Sequence, residues 1–159
     1  MALTDLLRRF PLLYHFTDRR NLAMIRELGG VYPFATLREM GKEIPAPGGN
    51  QLSHNLDQRK GLDKYVHLCL RSSYRMEYVA HRDGRIKDSI FLEVSSEVLR
   101  WEGVQFTPDV ANKSGVPIYP IEEAEDLIVS SSMTSRQSTC EILVPQRVPL
   151  ELIRNLPNG

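Results

Sequence analysis

Cys140-Glu141-Ile142-Leu143-Val144 sets four apolar residues around a single carboxylate. A short apolar run of this kind reads as a strand, with Glu141 and Leu143 on one face and Cys140, Ile142 and Val144 on the other. Apolar side chains on both faces imply a strand covered on both sides. A carboxylate in such a place is costly unless it is paired, protonated or turned into a pocket. Two readings are open: an edge strand whose Glu141 reaches water, or a covered strand that holds Glu141 at a functional cleft.

Working outward, Leu13 to Phe16 reads as a short extended piece entering a helix over 18–28. Thr17 or Asp18 is placed to cap that helix, Leu22, Ile25 and Leu28 share one face, and Gly29-Gly30 ends it. Residues 41–64 carry Gly41, Pro45, Pro47, Gly48, Gly49, Asn50 and Gly61 and read as a long loop, a length usually tied to function or mobility. Val66, Leu68 and Leu70 alternate along a strand over 65–70. A helix from Ser72 or Ser73 to His81 and a strand over 90–94 follow, then a helical turn over 95–99. Short extended pieces lie at 104–106 and 117–119. The stretch 121–129 reads as a helix with acids in its first turns, matching the helix dipole. Residues 130–139 are polar, and 150–153 form a last turn or short strand. Strands linked by short helices favour a mixed α/β sheet over a doubly wound parallel one.

The 159 residues are enough for one domain that buries roughly 70% of its unfolded surface. A hydrophobic share of 42% and a charged share of 25% exclude disorder and collagen, and no apolar run approaches the ~18 residues of a spanning helix. The net charge of zero hides an asymmetry: residues 54–87 carry eight Lys/Arg against four acids, while 88–126 carry nine acids against Arg100 and Lys113. Such a division suits either a basic face for a polyanion or a solvated mixed surface. Cys69 and Cys140 sit in apolar runs and read as buried, reduced thiols of a cytoplasmic protein. The opening Met-Ala-Leu-Thr-Asp lacks the pattern of a signal peptide. The four histidines are scattered, so no metal site is expected. The glycine-rich phosphate loops of the common nucleotide folds are absent.

Three further stretches carry candidate chemistry. Tyr14-His15-Phe16-Thr17 stands where a strand enters a helix, and unpaired backbone N–H groups there suit an amide or an anion; equally, Thr17 is a cap and His15 a half-buried ring. Gln58-Arg59-Lys60 is either a ligand-facing or a solvated basic turn. Phe106 to Asn112 is rich in turn formers.

Taken in order, these stretches resemble the DarT family of ADP-ribosyltransferases. Tyr14-His15-Phe16-Thr17, Asn21-Leu22, Ile25 and Gly29-Gly30-Val31 resemble its opening. Gln58-Arg59-Lys60 before Tyr65-Val66-His67-Leu68 is similar to its Gln-Arg-Arg before Tyr-Val-Pro-Phe. Met76 and Tyr78 match a Met-Leu-Tyr, Phe106-Thr107 with Ala111-Asn112 a Phe-Thr-Asp…Asn-Ala, and Cys140 to Val144 an Ala-Glu-Val-Leu-Val strand. The departures are Lys60 for the second arginine, and His67 and Cys69 for aromatic residues of the family strand.

The resemblance implies an α+β, ADP-ribosyltransferase-like fold, with two small packed β-sheets around an NAD cleft and flanking helices, in one domain over residues 1–159. It implies an enzyme that takes NAD as substrate, needs no metal and modifies a base of single-stranded DNA, with RNA as a second candidate acceptor. Such an enzyme acts as a cytoplasmic toxin opposed by a macrodomain antitoxin, with no membrane partner. Carried over by motif, His15, Phe16 and Thr17 hold the nicotinamide and its ribose, and Asn21 and Val31 line the NAD site. Glu141 is the catalytic glutamate and Arg59 the catalytic arginine, with Arg71 or Arg75 as alternatives. Arg59 is expected to stabilise an anionic base or the NAD phosphates, because guanidinium does not take up a proton. Residues 130–139 would form the acceptor-binding loop. Thr139 stands where arginine-directed relatives carry an acid, which argues against a protein-arginine target. NAD hydrolysis or protein modification by the same cleft, and a non-catalytic nucleic-acid or nucleotide-binding module of the same fold, are the competing readings.

Overall fold

The computed structural model describes residues 2–46, 51–72, 75–129 and 139–156. In chain order the elements are helix α1 (Ala2–Arg9), strand β1 (Leu12–Asp18), a 3-10 turn (Arg19–Asn21), α2 (Leu22–Leu28), β2 (Gly30–Val31) and α3 (Phe34–Glu39). Then come α4 (Gln51–Lys60), a 3-10 turn (Leu62–Lys64), β3 (Tyr65–Cys69), α5 (Arg75–Arg82), β4 (Ser89–Ser95), a 3-10 turn (Ser96–Arg100), β5 (Gln105–Thr107) and β6 (Tyr119–Pro120). A 3-10 turn (Ile121–Glu123) runs into α6 (Ala124–Val129), and β7 (Glu141–Pro145), β8 (Val148–Pro149) and a last 3-10 turn (Leu150–Leu152) close the described chain.

Six strands form one antiparallel sheet in the order β4-β1-β3-β7-β5-β6, and β2 pairs with β8 in a small second sheet. The α+β class and its two sheets thus stand as expected, with an unequal division between them. β7 lies between β3 and β5, so the edge-strand reading of Glu141 is excluded. The alternation of β7 also holds. Cys140, Ile142 and Val144 enter the main core with Leu13, Leu68, Leu92, Val94 and Phe106, while Leu143 packs on the other face against Leu62 and Ala111.

Two sequence expectations are corrected. The helix expected over 18–28 begins later, because β1 continues to Asp18, paired with Ser89 of β4. Asp18, rather than Thr17, caps the turn that follows by accepting from the Arg20 N–H. The helix stops where expected, at Gly29 with φ +80°, a left-handed conformation that glycine adopts without strain. The expected loop over 41–64 is overturned at its C-terminal half, where α4 occupies Gln51–Lys60. Leu52 and Leu56 are the only apolar residues in that helix, too few for an apolar stripe to show in the sequence. Gly61, at φ +74°, ends it.

The ladder between β1 and β3 consists of the single pair Tyr14–Cys69, whereas β1 pairs with β4 along its whole length. Beyond Tyr14 the space between β1 and β3 is bordered by α2, β2 and α3, and there the sheet opens into a cleft.

Candidate active site

The cleft measures about 230 Å³ and is walled mainly by apolar side chains, among them Tyr14, Phe16, Met24, Ile25 and Leu28. Its polar groups converge from different elements: His15 and Thr17 of β1, Asn21, Asp57 of α4, His67 of β3, Asn112 and Glu141 of β7. An apolar hollow with a few converging polar groups is the usual form of a small-molecule site.

Glu141 stands in a cross-strand row with Cys69 of β3 and Thr107 of β5, and Tyr14 of β1 pairs with that same Cys69. It is 4% exposed. One carboxylate oxygen accepts the Ala111 backbone N–H at 2.8 Å, and the other faces His67 Nδ1 at 2.6 Å. The second ring nitrogen of His67 lies 2.9 Å from the Leu62 carbonyl. Both ring nitrogens therefore face acceptors, an arrangement that a doubly protonated imidazolium satisfies and a neutral ring does not. Burial opposes that charge. The Glu141 carboxylate, its hydrogen bond, the charge of Asp57 and the Leu62 carbonyl outweigh it and push His67 up to about 9. The buried carboxylate is thus paired, as a covered strand demands.

His15 donates Nδ1–H to the His67 carbonyl at 3.1 Å, bridging the strands beyond the end of their ladder. Burial lowers its pKa, so the ring is neutral and its Nε2 is an acceptor. Phe16 packs against Phe91 at 6.2 Å between ring centroids. Asn21 is saturated by the frame: its amide donates to Thr17 Oγ1 at 2.9 Å and to the Ala46 carbonyl at 2.8 Å, while its oxygen accepts the Ala46 N–H at 2.8 Å. It lines the cleft and holds both backbone groups of Ala46. Val31, in β2, is buried in the same wall.

Arg59 is placed elsewhere. Helical residues two apart point about 200° from each other, so with Asp57 of α4 in the cleft, Arg59 faces away. It is exposed and lines a neighbouring hollow with Thr36, Arg38, Gln58, Lys60 and Lys64; Asp63 borders both spaces. Lys60 is held by the Ala111, Lys113 and Val116 carbonyls at 2.5, 3.2 and 3.3 Å, which ties α4 to the loop that presents the Ala111 N–H to Glu141. Arg71 is exposed and does not line the cleft. The expected acceptor loop lies outside the described residues apart from Thr139. Tyr78 is 65% exposed and Tyr65 borders the cleft.

Asp57 and the partnership of His67 with Glu141 were not legible beforehand. Asp57 adjoins the Gln58-Arg59 motif, but only the helical phase of α4 shows which residue of that motif turns inward. Cys69 and Cys140 are buried free thiols, as expected. Among the described residues no helix is long and apolar enough to cross a membrane, and no cluster of metal-ligating side chains is present.

No curated protein sequence matches the chain. Solved structures do. Thermus sp. 2.9 DarT in complex with ADP-ribosylated ssDNA aligns at a TM-score of 0.70 and 16% identity, over 91% of this chain and 79% of that one. The same Thermus protein in complex with NAD+ aligns at 0.62 and 19%, over 91% and 80%. Thermosipho africanus DarTG in complex with ADP-ribose aligns at 0.68 and 21%, and the chain spans 43% of that longer protein. At these identities the likeness is one of fold. The family model described as DarT, ssDNA thymidine ADP-ribosyltransferase, matches residues 14–156. With most of its length matched, the chain belongs to the DarT family of ssDNA thymidine ADP-ribosyltransferases.

Proposed function

We propose that the cleft between β1 and β3 binds NAD as substrate and that Glu141 drives transfer of its ADP-ribose to a thymine of single-stranded DNA. The observation that carries this reading is a buried, ion-paired carboxylate on a central strand, opening into the same apolar cleft as Tyr14 to Thr17. Cleaving the bond between nicotinamide and ribose builds positive charge on the sugar, as glycoside cleavage does. A carboxylate fixed by His67 and the Ala111 N–H needs no reorganisation to meet that charge or to accept a ribose hydroxyl. Fixed charge of this kind is worth roughly 10²–10³-fold in rate. His15, Phe16 and Thr17 are assigned to the nicotinamide and its ribose, and Asn21 and Val31 to the wall that positions them. Nicotinamide leaves neutral and needs no acid.

Arg59, on the outer side of α4 beside Lys64, is assigned to the phosphates that flank the target base. Positive charge there suits a polyanion. The DarTG relative supports a toxin opposed by a macrodomain antitoxin. Purified protein with NAD and thymidine-containing single-stranded oligonucleotides is expected to leave one ADP-ribose mass on the strand, at least about 10²-fold more slowly for Glu141→Gln. Oligonucleotides unmodified at high enzyme concentration would overturn the reading. Nicotinamide release that ignores the oligonucleotide would instead mark an NAD hydrolase.

A further inference from the structure

We propose that Asp57 is the general base of the transfer step, accepting the proton of the thymine N–H as the ring nitrogen attacks the ribose. The inference rests on the thymidine reading above. In thymidine one ring nitrogen is bound to deoxyribose, and the other carries the only N–H of the base. Its attack forms the new ribose–nitrogen bond while the nicotinamide–ribose bond breaks with its electron pair going to nicotinamide. The N–H proton must then pass to a group in the cleft.

Among the described residues few groups can take it. His67 already holds two protons, committed to Glu141 and Leu62. Glu141 is hydrogen bonded on both oxygens, and its imidazolium neighbour fits it to face positive charge. Asp63 is 7% exposed and held by Arg38 at 3.3 Å. A guanidinium has no lone pair to offer, and Arg59 points away from the cleft. His15 presents a neutral Nε2, but its ring fills the wedge between the strands on the side assigned to nicotinamide.

Asp57 is a half-buried carboxylate that reaches the cleft from α4. That helix, like α3, borders both the cleft and the neighbouring hollow, where Arg38, Arg59, Lys60 and Lys64 stand with Glu39 and Asp63 and where the strand is expected to lie. A base flipped from a strand seated on that hollow would pass Asp57 before reaching the ribose. The groups facing Asp57 are His67, Glu141, Asp63 and Asn112, the last as a hydrogen-bond donor. Burial raises its pKa first, Glu141 and Asp63 add to the rise, and His67 and Asn112 oppose it. A raised carboxylate pKa makes a stronger base, and positioned bases contribute about 10²–10⁴-fold.

The test is steady-state transfer to a thymidine oligonucleotide by the full chain, comparing wild type with Asp57→Asn from pH 6 to 10. Thermal melting and an NAD titration accompany it. The expected result is a kcat lower by about 10²–10³-fold near pH 7, with the KM for NAD within a few-fold. The deficit should narrow at alkaline pH, where the base sheds its own proton. A kcat within about threefold of wild type would overturn the inference. So would a deficit equal at every pH, or one residing wholly in the KM for NAD. If Asp57→Asn does not fold, Asp57→Glu takes its place: transfer with a shifted pH profile supports the assignment, and an unchanged profile overturns it. Absence of transfer by wild type removes the thymidine reading as well, so the two failures are distinguishable.

Discussion

Removing the charge of His67 should expose how much the buried Glu141 depends on it. The pair lies at 2.6 Å, with side chains 28% and 5% exposed. The rise of His67 from 6.5 to about 9 corresponds to about 3 kcal/mol of folding free energy. That matches the 3–5 kcal/mol typical of stranding one partner of a buried ion pair. Because the folded-state value is the higher one, the contribution is complete below pH 6.5. It declines as pH rises and is gone above about pH 9. The perturbation is a double-mutant cycle of His67→Leu and Glu141→Gln, followed by urea denaturation at pH 6, 7.5 and 10. The cycle isolates the pairwise term from packing losses. A coupling of about 3 kcal/mol at pH 6 that falls by pH 10 to the ~1 kcal/mol of a neutral hydrogen bond is expected. Coupling below about 0.5 kcal/mol, or independent of pH, would refute the ion pair and with it the account of how a central strand tolerates Glu141.

Three further outcomes follow from the same frame. Lys60→Met removes the cation that gathers three carbonyls of the 111–116 segment; a loss of about 1–3 kcal/mol is expected in denaturation, with a lower kcat because the Ala111 N–H drifts from Glu141. Asp18→Ala strands the backbone N–H groups of Arg20, Lys87 and Asp88. It should cost about 2–4 kcal/mol at neutral pH. The Arg20 hydrogen bond chiefly holds the Asp18 carboxyl well below the usual carboxylate range. Its contribution is therefore present above pH 4 and lost only as pH falls toward that depressed value, so wild-type and variant acid-denaturation curves should converge at very low pH. Gly30→Ala would set a Cβ 2.4 Å from the Val148 carbonyl oxygen, a backbone atom with little room to give. Separation of β2 from β8, a loss of about 1–3 kcal/mol and weaker NAD binding are expected, measurable by melting and by nucleotide titration.

Much of the frame was legible because its signals are local. The apolar run of 140–144 gave a strand, Gly29 gave a helix end, and 65–70 and 90–94 gave strands, since periodicity and turn chemistry act within a few residues. α4 escaped because a polar helix with two leucines carries little periodicity. Its stability comes from what it packs against, including the Lys60 clasp.

By itself the chain determined that a carboxylate would stand among apolar residues on a strand, and that Tyr14 to Thr17 would lead from a strand into a helix. Only the tertiary structure decided that the strand is central and that His67, 74 residues distant, pays for the charge. It also decided that the β1–β3 ladder ends at Tyr14 and Cys69, and that α4 turns Asp57 inward and Arg59 outward. Neighbours along the chain settle backbone conformation. The partner of a buried charge is set by which distant strands come into register, and that information lies in the packing of the whole chain.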